Sequence, residues 1–339
     1  MGQYWNLFNV ENRERLGDGK LGEIFFESCW HRLVKLLAQP TRSGFRRHTT
    51  WLAPGTSHAP PSKAELGVLS KLPDEILTAI FASFKRHHIH DMIMFSLAHS
   101  YLAEIGYFFI QKIYQRKSGS WSNDRLICAG DYAHTAPNGV FTEDEMKMVR
   151  ESGLYWYLHG EFKSRTMSVK TFYFNYYVGF PPPQIVRSVC SSMDVLHAKE
   201  NQKLCQYVYD LCTPRLEYDS TKDWVLANLT KSEYIRADAL NRLPMQPGEK
   251  KAREGPFLTV RGIGLGHVLL SRVCYSDDPS VSMPVPWGLS YNIIRGPWAG
   301  HRFEITTLDR LKPAEKGEWK DISVEAMEDM RQIIEEFEF

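Results

Sequence analysis

The sequence predicts an α+β protein that contains two pseudo-repeated small units, each with the element order β-β-α-β-α, and one inserted helical segment. Two observations lead to this prediction. Four short sequence blocks recur in the same order along the chain, and one copy is longer than the other between two of these blocks. A chain of 339 residues with 43% hydrophobic residues is long enough for two or three packed cores.

The first two repeated blocks predict the start of each unit. Residues 5–14 align without gaps to residues 224–233, with Trp, Leu, Asn and Glu at a constant offset of 219. Each stretch has the pattern of a strand, a polar turn and a second short strand. A Leu-Gly pair before an apolar run, at Leu21 and again at Leu265, then predicts a helix that follows a Gly-rich turn.

The third block repeats a tryptophan and an arginine. Trp121 and Arg125 match Trp298 and Arg302 at an offset of 177, and each pair leads into a predicted strand. An arginine beside an aromatic face can bind a ligand, so the two pairs are candidates for equivalent binding sites. The alternative is a fold-stabilising role, in which each tryptophan packs between layers and its arginine pairs with a local acid.

The fourth block predicts a helix near the end of each unit. Thr142 and Ser323 stand at N-cap positions, and acidic residues follow in the first helical turn. Thr142 with Glu145 also has the pattern of a capping box, in which each side chain accepts the other residue's backbone N–H.

The first unit contains an insertion. Gly22 and Trp121 are 99 positions apart, whereas the matching Gly266 and Trp298 are 32 apart, so the first copy has 67 additional positions (99 − 32). That surplus is about the size of one small helical module. The predicted domains are residues 1–38 with 117–151 for the first α+β repeat, 39–116 for a loop and the helical insertion, 152–222 for an aromatic-rich helical linker, and 223–339 for the second repeat.

The inserted segment has the pattern of two helices. Pro73 suits a first helical position, and the acidic residues 74 and 75 complement the positive end of the helix dipole. Apolar residues follow on one helical face: Ile76, Leu77, Ile80, Phe81 and Phe84. After a polar break at residues 85–90, a second helix is predicted from Asp91 to about Ile105.

Residues 69–114 resemble an F-box. The opening of that family is matched by Leu72-Pro73-Asp74-Glu75-Ile76-Leu77 and by Ile80-Phe81. Residues 91–102 resemble its second half in fungal F-box-like proteins, although the tryptophan that often ends that half is missing. The resemblance implies recruitment of a Skp-type adaptor of a cullin ubiquitin ligase. It would use the following residues: Leu72, Pro73, Ile76, Leu77, Ile80 and Phe81. The same apolar stripe also fits an ordinary helical hairpin packed within its own protein.

The whole chain resembles uncharacterised basidiomycete proteins that open with Met-Gly-Gln-Tyr-Trp and end with a Trp-Ala-Gly-x-Arg-Phe strand, here residues 1–5 and 298–303. Each half also resembles small bacterial proteins of unknown function that carry a similar strand. Neither resemblance implies an activity or catalytic residues. Both support the α+β architecture.

Composition narrows the functional classes. The formal net charge of +1 lacks the footprint of a nucleic-acid-binding protein. The six cysteines form no Cys-x-x-Cys pair, which favours reduced, buried thiols over a zinc site or a disulfide framework. We expect no membrane partner, because no signal peptide and no apolar run of membrane-spanning length is evident. The expected location is cytoplasmic or nuclear.

Common catalytic motifs are missing, and no cofactor is expected. The run Gly262-Ile263-Gly264-Leu265-Gly266-His267 invites a phosphate-loop interpretation, but it lacks the Rossmann spacing. His87, His88 and His90 fit either a metal site or a solvated turn.

The leading prediction is therefore an interaction protein that recruits an adaptor and binds an unknown target protein. One alternative is an enzyme or small-ligand-binding protein with a site between the repeats, formed by the following candidates: Trp121, Arg125, Asp131, His267, Trp298 and Arg302. Another alternative is a homodimeric scaffold with the aromatic middle region as its interface.

Overall fold

A computed structural model shows that the protein has a mixed α+β fold. It describes residues 2–26, 29–43, 62–84, 89–137, 139–145, 147, 154–158, 161–165, 178–179, 216–244, 254–281, 283, 287–314 and 317–335. The chain divides into two compact units. We call residues 1–39, 118–180 and 218–339 the sheet unit, and residues 40–117 and 181–217 the helical unit.

The described strands are, in chain order, β1 Tyr4–Asn9, β2 Glu14–Lys20, β3 Arg42–Ser43, β4 Asp124–Gly130, β5 Leu154–Leu158, β6 Glu161–Arg165, β7 Val178–Gly179, β8 Leu216–Glu217, β9 Trp224–Asn228, β10 Glu233–Arg236, β11 Thr259–Val260, β12 Ile263–Gly264, β13 Cys274–Tyr275, β14 Arg302–Thr307 and β15 Lys320–Asp321. The described α-helices are α1 Leu21–Phe26, α2 Cys29–Leu37, α3 Asp74–Ser83, α4 Ile89–Leu97, α5 Ser100–Lys117, α6 Leu265–Val273, α7 Trp287–Ile294 and α8 Ser323–Glu335. A 3₁₀ segment at Lys63–Lys71 precedes α3.

One large sheet organises the sheet unit. Its strand order is β15-β10-β9-β14-β4-β1-β2-β7, and β13 pairs in parallel with β4. The strands of residues 4–20 and 124–130 therefore share a sheet with those of residues 224–236 and 302–307, whereas the sequence predicted two separate domains. The join is the antiparallel pairing of β4 with β14, where Arg125 lies opposite Arg302.

The main core lies on one face of this sheet. Alternate residues of the four central strands point into it, as the two-residue period of a β-strand requires, and helices α1, α2, α6 and α8 cover them. Its largest members are Trp5, Trp121, Trp224 and Trp298, which are at most 2% exposed. Tryptophans that anchor the repeated blocks are thus core residues.

Helices α1 and α6 begin at the two predicted Leu-Gly pairs. In each, the third helical residue turns back to accept the N–H of the residue before the helix, as a capping box does. The carboxylate of Glu23 accepts the Lys20 N–H at 2.9 Å, and His267 Nδ1 accepts the Gly264 N–H at 3.1 Å. Helix α6 then crosses α2 so closely that a Cβ on Gly266 would lie 2.6 Å from the backbone oxygen of Trp30.

The two predicted helix starts of the fourth block differ. The capping box of Thr142 and Glu145 is confirmed, because Thr142 N–H donates to Glu145 Oε2 at 2.8 Å and Glu145 N–H donates to Thr142 Oγ1 at 3.2 Å. Ser323 is instead the first residue of α8, and its own N–H donates to Asp321 Oδ1 at 2.9 Å. Its hydroxyl accepts the Arg236 N–H and so ties α8 to β10.

The helical unit contains α3, α4, α5 and the short pair β3–β8. The single second helix that the sequence predicted is two helices, because the chain breaks at residues 98–99 and His99 Nδ1 accepts the N–H of Tyr101 at 3.1 Å. Helices α4 and α5 then cross at Gly106, where a Cβ would collide with Ser96 Oγ.

Part of the predicted linker is described. Strands β5 and β6 form an antiparallel hairpin, so the first aromatic run, residues 154–158, is a strand. The second aromatic run at residues 172–177 and the predicted helix at residues 185–212 lie outside the described residues.

Candidate functional site

The six residues that the F-box resemblance implies are divided between the surface and the interior of the helical unit. Leu77 and Phe81 are fully buried. Ile76 is 46% exposed, Pro73 is exposed, and two more positions, 72 and 80, are half-buried. Leu77 and Phe81 are therefore core residues of the unit, and only the other four can contact a partner directly.

The buried side of α3 belongs to a core that the helical unit forms by itself. The Phe81 ring lies 5.1 Å from Phe95 and is stacked 5.9 Å from Phe109. The remaining buried members come from all three helices: Leu77, Ile89, Met92, Ile93, Leu102 and Ile110. Because this core is closed without Ile76, the outer face of α3 is left as surface.

A polar cluster fixes the start of α3 against its neighbours. Asp74 pairs with Lys63 from the 3₁₀ segment and accepts a hydrogen bond from the hydroxyl of Tyr101 on α5. The hydrogen bond from Lys63, followed by that from Tyr101, holds the pKa of Asp74 below its usual value. The same bond to Asp74 raises the pKa of Tyr101. These contacts join the 3₁₀ segment, the start of α3 and α5.

The repeated arginines meet at the join between β4 and β14, and one carboxylate serves both. Glu11 Oε1 accepts Arg125 Nε at 2.6 Å and Arg302 Nη2 at 2.8 Å. Arg125 also donates to the backbone oxygen of Val140, and Arg302 donates to that of Asn123 at 2.7 Å. The structure brings these two candidates together, but it engages both guanidinium groups with the protein's own acceptors, which favours the fold-stabilising interpretation.

The repeated tryptophans make matching bonds inside the core. Trp121 Nε1 donates to Glu14 Oε2 at 2.7 Å, and Trp298 Nε1 donates to Glu233 Oε2 at 2.7 Å. Both rings are at most 1% exposed, so neither forms an open platform for a ligand. A buried indole N–H needs a hydrogen-bond partner, and these carboxylates supply it.

A second matching pair lies beside the tryptophans. Asn9 Nδ2 donates to Asp124 Oδ2 at 2.8 Å, and Asn228 Nδ2 lies 3.0 Å from His301 Nδ1. Burial raises the pKa of Asp124. Burial, and then the charge of Lys231, lowers the pKa of His301 to about 4. The two asparagines make contacts of similar length, but the partner of Asn9 is a carboxyl group and the partner of Asn228 is a neutral imidazole.

The other two candidates lie elsewhere. Asp131 Oδ2 accepts the N–H of Tyr4 at 2.8 Å at the end of β4. His267 is 2% exposed, with its ring 5.0 Å from Phe25 and 4.9 Å from Trp30, and burial lowers its pKa to about 3. A neutral, buried His267 caps α6 and closes the helix end that a phosphate would need.

Two polar groups that sequence reasoning missed hold the sheet unit together. Glu11 bridges the repeated arginines, but its matching position is Thr230, so the repeat gave no signal for it. Arg272 is 5% exposed and pairs with Glu325 and Asp329 of α8, each at 2.7 Å. Its guanidinium also lies 5.0 Å from the centre of the Trp298 ring.

Other site types find little support in the part of the chain that the structure describes. His87 and His88 lie outside it, and His90 lies 3.8 Å from Asp91. Across the described ranges no group of three or more His, Cys, Asp or Glu side chains is placed to hold a metal ion. None of the described helices combines the length and the apolar character needed to span a bilayer.

No protein-family model, curated protein or solved structure matches the chain.

Proposed function

We propose that this protein mediates protein–protein interactions, with the helical unit recruiting a Skp-type adaptor of a cullin ubiquitin ligase and the sheet unit binding a target protein. The observation that carries the proposal is the exposure of Ile76. This side chain is 46% exposed on α3, while Leu77 and Phe81 close the buried side of the same helix. An outward-facing apolar residue at a position of the F-box-like pattern is available to contact a partner.

The proposed contact surface extends over the 3₁₀ segment and α3. Val68 is 81% exposed in the 3₁₀ segment, Pro73 is exposed, and Leu72 and Ile80 are half-buried with one side packed against the core of the helical unit. Single exposed apolar residues are common on protein surfaces, so the argument depends on the match of Leu72, Pro73, Ile76 and Ile80 to the F-box-like pattern.

Leu77 and Phe81 act indirectly in this proposal. Both are fully buried, and the Phe81 ring contacts those of Phe95 and Phe109. Their packing holds α3 in place and so keeps Ile76 at the surface. We therefore assign adaptor contact to Leu72, Pro73, Ile76 and Ile80, and a supporting role to the other two.

We also propose that the sheet unit consists of two diverged copies of one β-β-α-β-α unit. Equivalent positions make equivalent bonds: Val10 N–H to Arg125 O at 3.0 Å, and Leu229 N–H to Arg302 O at 2.8 Å. Positive φ angles also recur at the same two offsets. They are 52° at Arg13 and 55° at Ser232, and 67° at Asn123 and 78° at Gly300. Such angles are uncommon outside glycine, so their recurrence supports a common origin.

Co-purification of the whole protein with a fungal Skp-type adaptor tests the recruitment. We expect the wild type to retain the adaptor and Ile76→Asp to weaken binding by about 2 kcal/mol, roughly 30-fold, since a charge would enter an apolar contact. Phe108→Asp is the matched control, because Phe108 is 43% exposed on α5, outside the proposed surface.

Two results would overturn the proposal. One is the lack of any complex between the adaptor and a folded wild type. The other is equal loss of binding by Ile76→Asp and Phe108→Asp while circular dichroism shows both variants to be folded. The Leu77→Ala variant tests the supporting role of the buried side of α3. It should reduce the stability of the helical unit and adaptor binding together.

A further inference from the structure

Two cysteines lie side by side in the core of the sheet unit. Strands β13 and β4 are parallel, and Cys274 lies directly opposite Cys128 in their register. Because paired residues of neighbouring strands point to the same face of a sheet, the two thiols occupy one side of it. Both side chains belong to the main core and have no exposed surface.

The backbone spacing suits a covalent link. Neighbouring strands are about 4.8 Å apart, and a disulfide joins residues whose Cα atoms are roughly 4.4–6.8 Å apart. The thiols interact through a side-chain hydrogen bond, and Cys274 Sγ donates to the backbone oxygen of Leu270 at 3.1 Å. Neither sulfur therefore needs a large movement to reach the other.

Simple apolar packing explains the burial of these thiols but not their pairing. Cysteine often fills small core positions, and one buried thiol would need no further account. Here two residues 146 positions apart (274 − 128) meet in register, one from each of the two proposed repeats. A bond between them would tie the short β13 to a central strand.

We propose that Cys128 and Cys274 are a modification site, at which a peroxide converts the two thiols into an intramolecular disulfide. The proposal is independent of adaptor recruitment, because both cysteines lie in the sheet unit.

The chemistry balances with hydrogen peroxide as the oxidant. One thiolate attacks the peroxide, an S–O bond forms and the O–O bond breaks, and the departing hydroxide takes up the proton that the thiol released, which gives a sulfenic acid and one water molecule. The second thiolate then attacks the sulfenic sulfur, the S–S bond forms, and the departing hydroxide takes up a proton to give a second water molecule. In total, two thiols and one peroxide give one disulfide and two water molecules.

Access to the pair limits the rate. Burial raises the pKa of the Cys274 thiol, and the neighbouring Cys128 thiol raises it further, so the reactive thiolate is scarce in the closed structure. Oxidation must therefore wait for local opening of β13, which has only two residues. We expect the reaction to be slow in buffer and several-fold faster in urea below the unfolding transition.

Peptide mapping of the whole protein tests the proposal. The protein is treated with hydrogen peroxide, its remaining thiols are alkylated, and it is digested without reductant for mass spectrometry. We expect a peptide pair that links Cys128 to Cys274, two hydrogens lighter than the free peptides and separated by dithiothreitol. The Cys128→Ser and Cys274→Ser variants should each lack this pair, with sulfinic acid accumulating on the cysteine that remains.

Two outcomes would overturn the proposal. The first is a disulfide from Cys128 or Cys274 to one of the other four cysteines in place of the expected pair: Cys29, Cys190, Cys205 or Cys212. The second is recovery of both residues as free thiols after peroxide treatment in sub-denaturing urea. Far-ultraviolet circular dichroism of the serine variants confirms that they are folded, so the lack of a link in them is informative.

Discussion

Glu11 decides whether the two central arginines stabilise or destabilise the sheet. Like charges directly opposite each other in a strand pair repel, and Arg125 lies opposite Arg302. One carboxylate oxygen of Glu11 contacts both guanidinium groups. The arginine repeat was visible in the sequence, but this counter-charge was not, because it comes from a turn more than a hundred residues away in sequence.

Glu11→Ala should lower the free energy of unfolding by about 1–2 kcal/mol, since it leaves two partly buried arginines opposed without their carboxylate. Thr230→Ala is the matched control, because Thr230 Oγ1 accepts only the Arg302 N–H at 3.0 Å, and we expect it to cost about half as much. Urea denaturation at neutral pH measures both. Equal stability of Glu11→Ala and wild type would show that the bridge contributes nothing.

His267 makes the sheet unit sensitive to acid. Its folded pKa of about 3 lies below the value near 6.5 for an unfolded chain, because burial disfavours the charged imidazole. The unfolded state then binds more protons between pH 6.5 and 3, so stability is full above pH 6.5 and falls as the pH decreases through that window. The neutral His301, with a folded pKa of about 4, adds to the loss between pH 6.5 and 4.

The His267→Gln variant should remove its share of this loss, about 1.4 kcal/mol per pH unit at most. Glutamine can still accept the Gly264 N–H, so the helix cap is kept. Urea midpoints at pH 7.5, 5.5 and 4.5 give the comparison. If the urea midpoint of His267→Gln decreases on acidification as steeply as that of the wild type, the acid sensitivity does not come from His267.

At the scale of elements, the sequence was most informative where the signal is local. The turn between β1 and β2, the Leu-Gly helix starts and the Thr142–Glu145 capping box depend on neighbouring residues, and each is present. The break between α4 and α5 was missed, because the apolar pattern continues across residues 98–99 and the break is marked by the His99 side chain, which accepts the backbone N–H of Tyr101. The pairing of β4 with β14 joins residues 177 apart, and no local pattern encodes it.

The crossing of α4 and α5 at Gly106 is the feature most sensitive to one added methyl group. Gly106→Ala should destabilise the helical unit by about 2–3 kcal/mol, because the new Cβ collides with Ser96 and with the Phe81 ring 2.7 Å away.

Gly67→Ala is a control in the same unit. It has open space around it, so only backbone strain is expected, about 1–2 kcal/mol for its φ of 59° and ψ of −126°. Thermal unfolding followed by circular dichroism compares the stabilities of the Gly106→Ala and Gly67→Ala variants. A Gly106→Ala variant at least as stable as Gly67→Ala would mean that the helices do not cross so closely.

For the whole molecule, the two units differ in how their surface and polar side chains are engaged. The helical unit has its own core and an outward-facing apolar residue on α3, whereas the polar groups of the sheet unit are largely committed to holding the sheet together. The repeated Trp, Gly and Arg positions are core, turn and bridge residues. The sequence therefore indicated the architecture of the sheet unit much better than its target, since no local pattern marks a target surface.

Hydrogen–deuterium exchange of the whole protein, with and without a purified Skp-type adaptor, tests recruitment most directly. The account predicts that the adaptor slows exchange at Lys63–Lys71 and in the first turns of α3, where Val68, Leu72 and Ile76 lie, and leaves the middle of α5 around Phe108 unchanged. Protection confined to the sheet unit, or no protection at a saturating adaptor concentration, would contradict it.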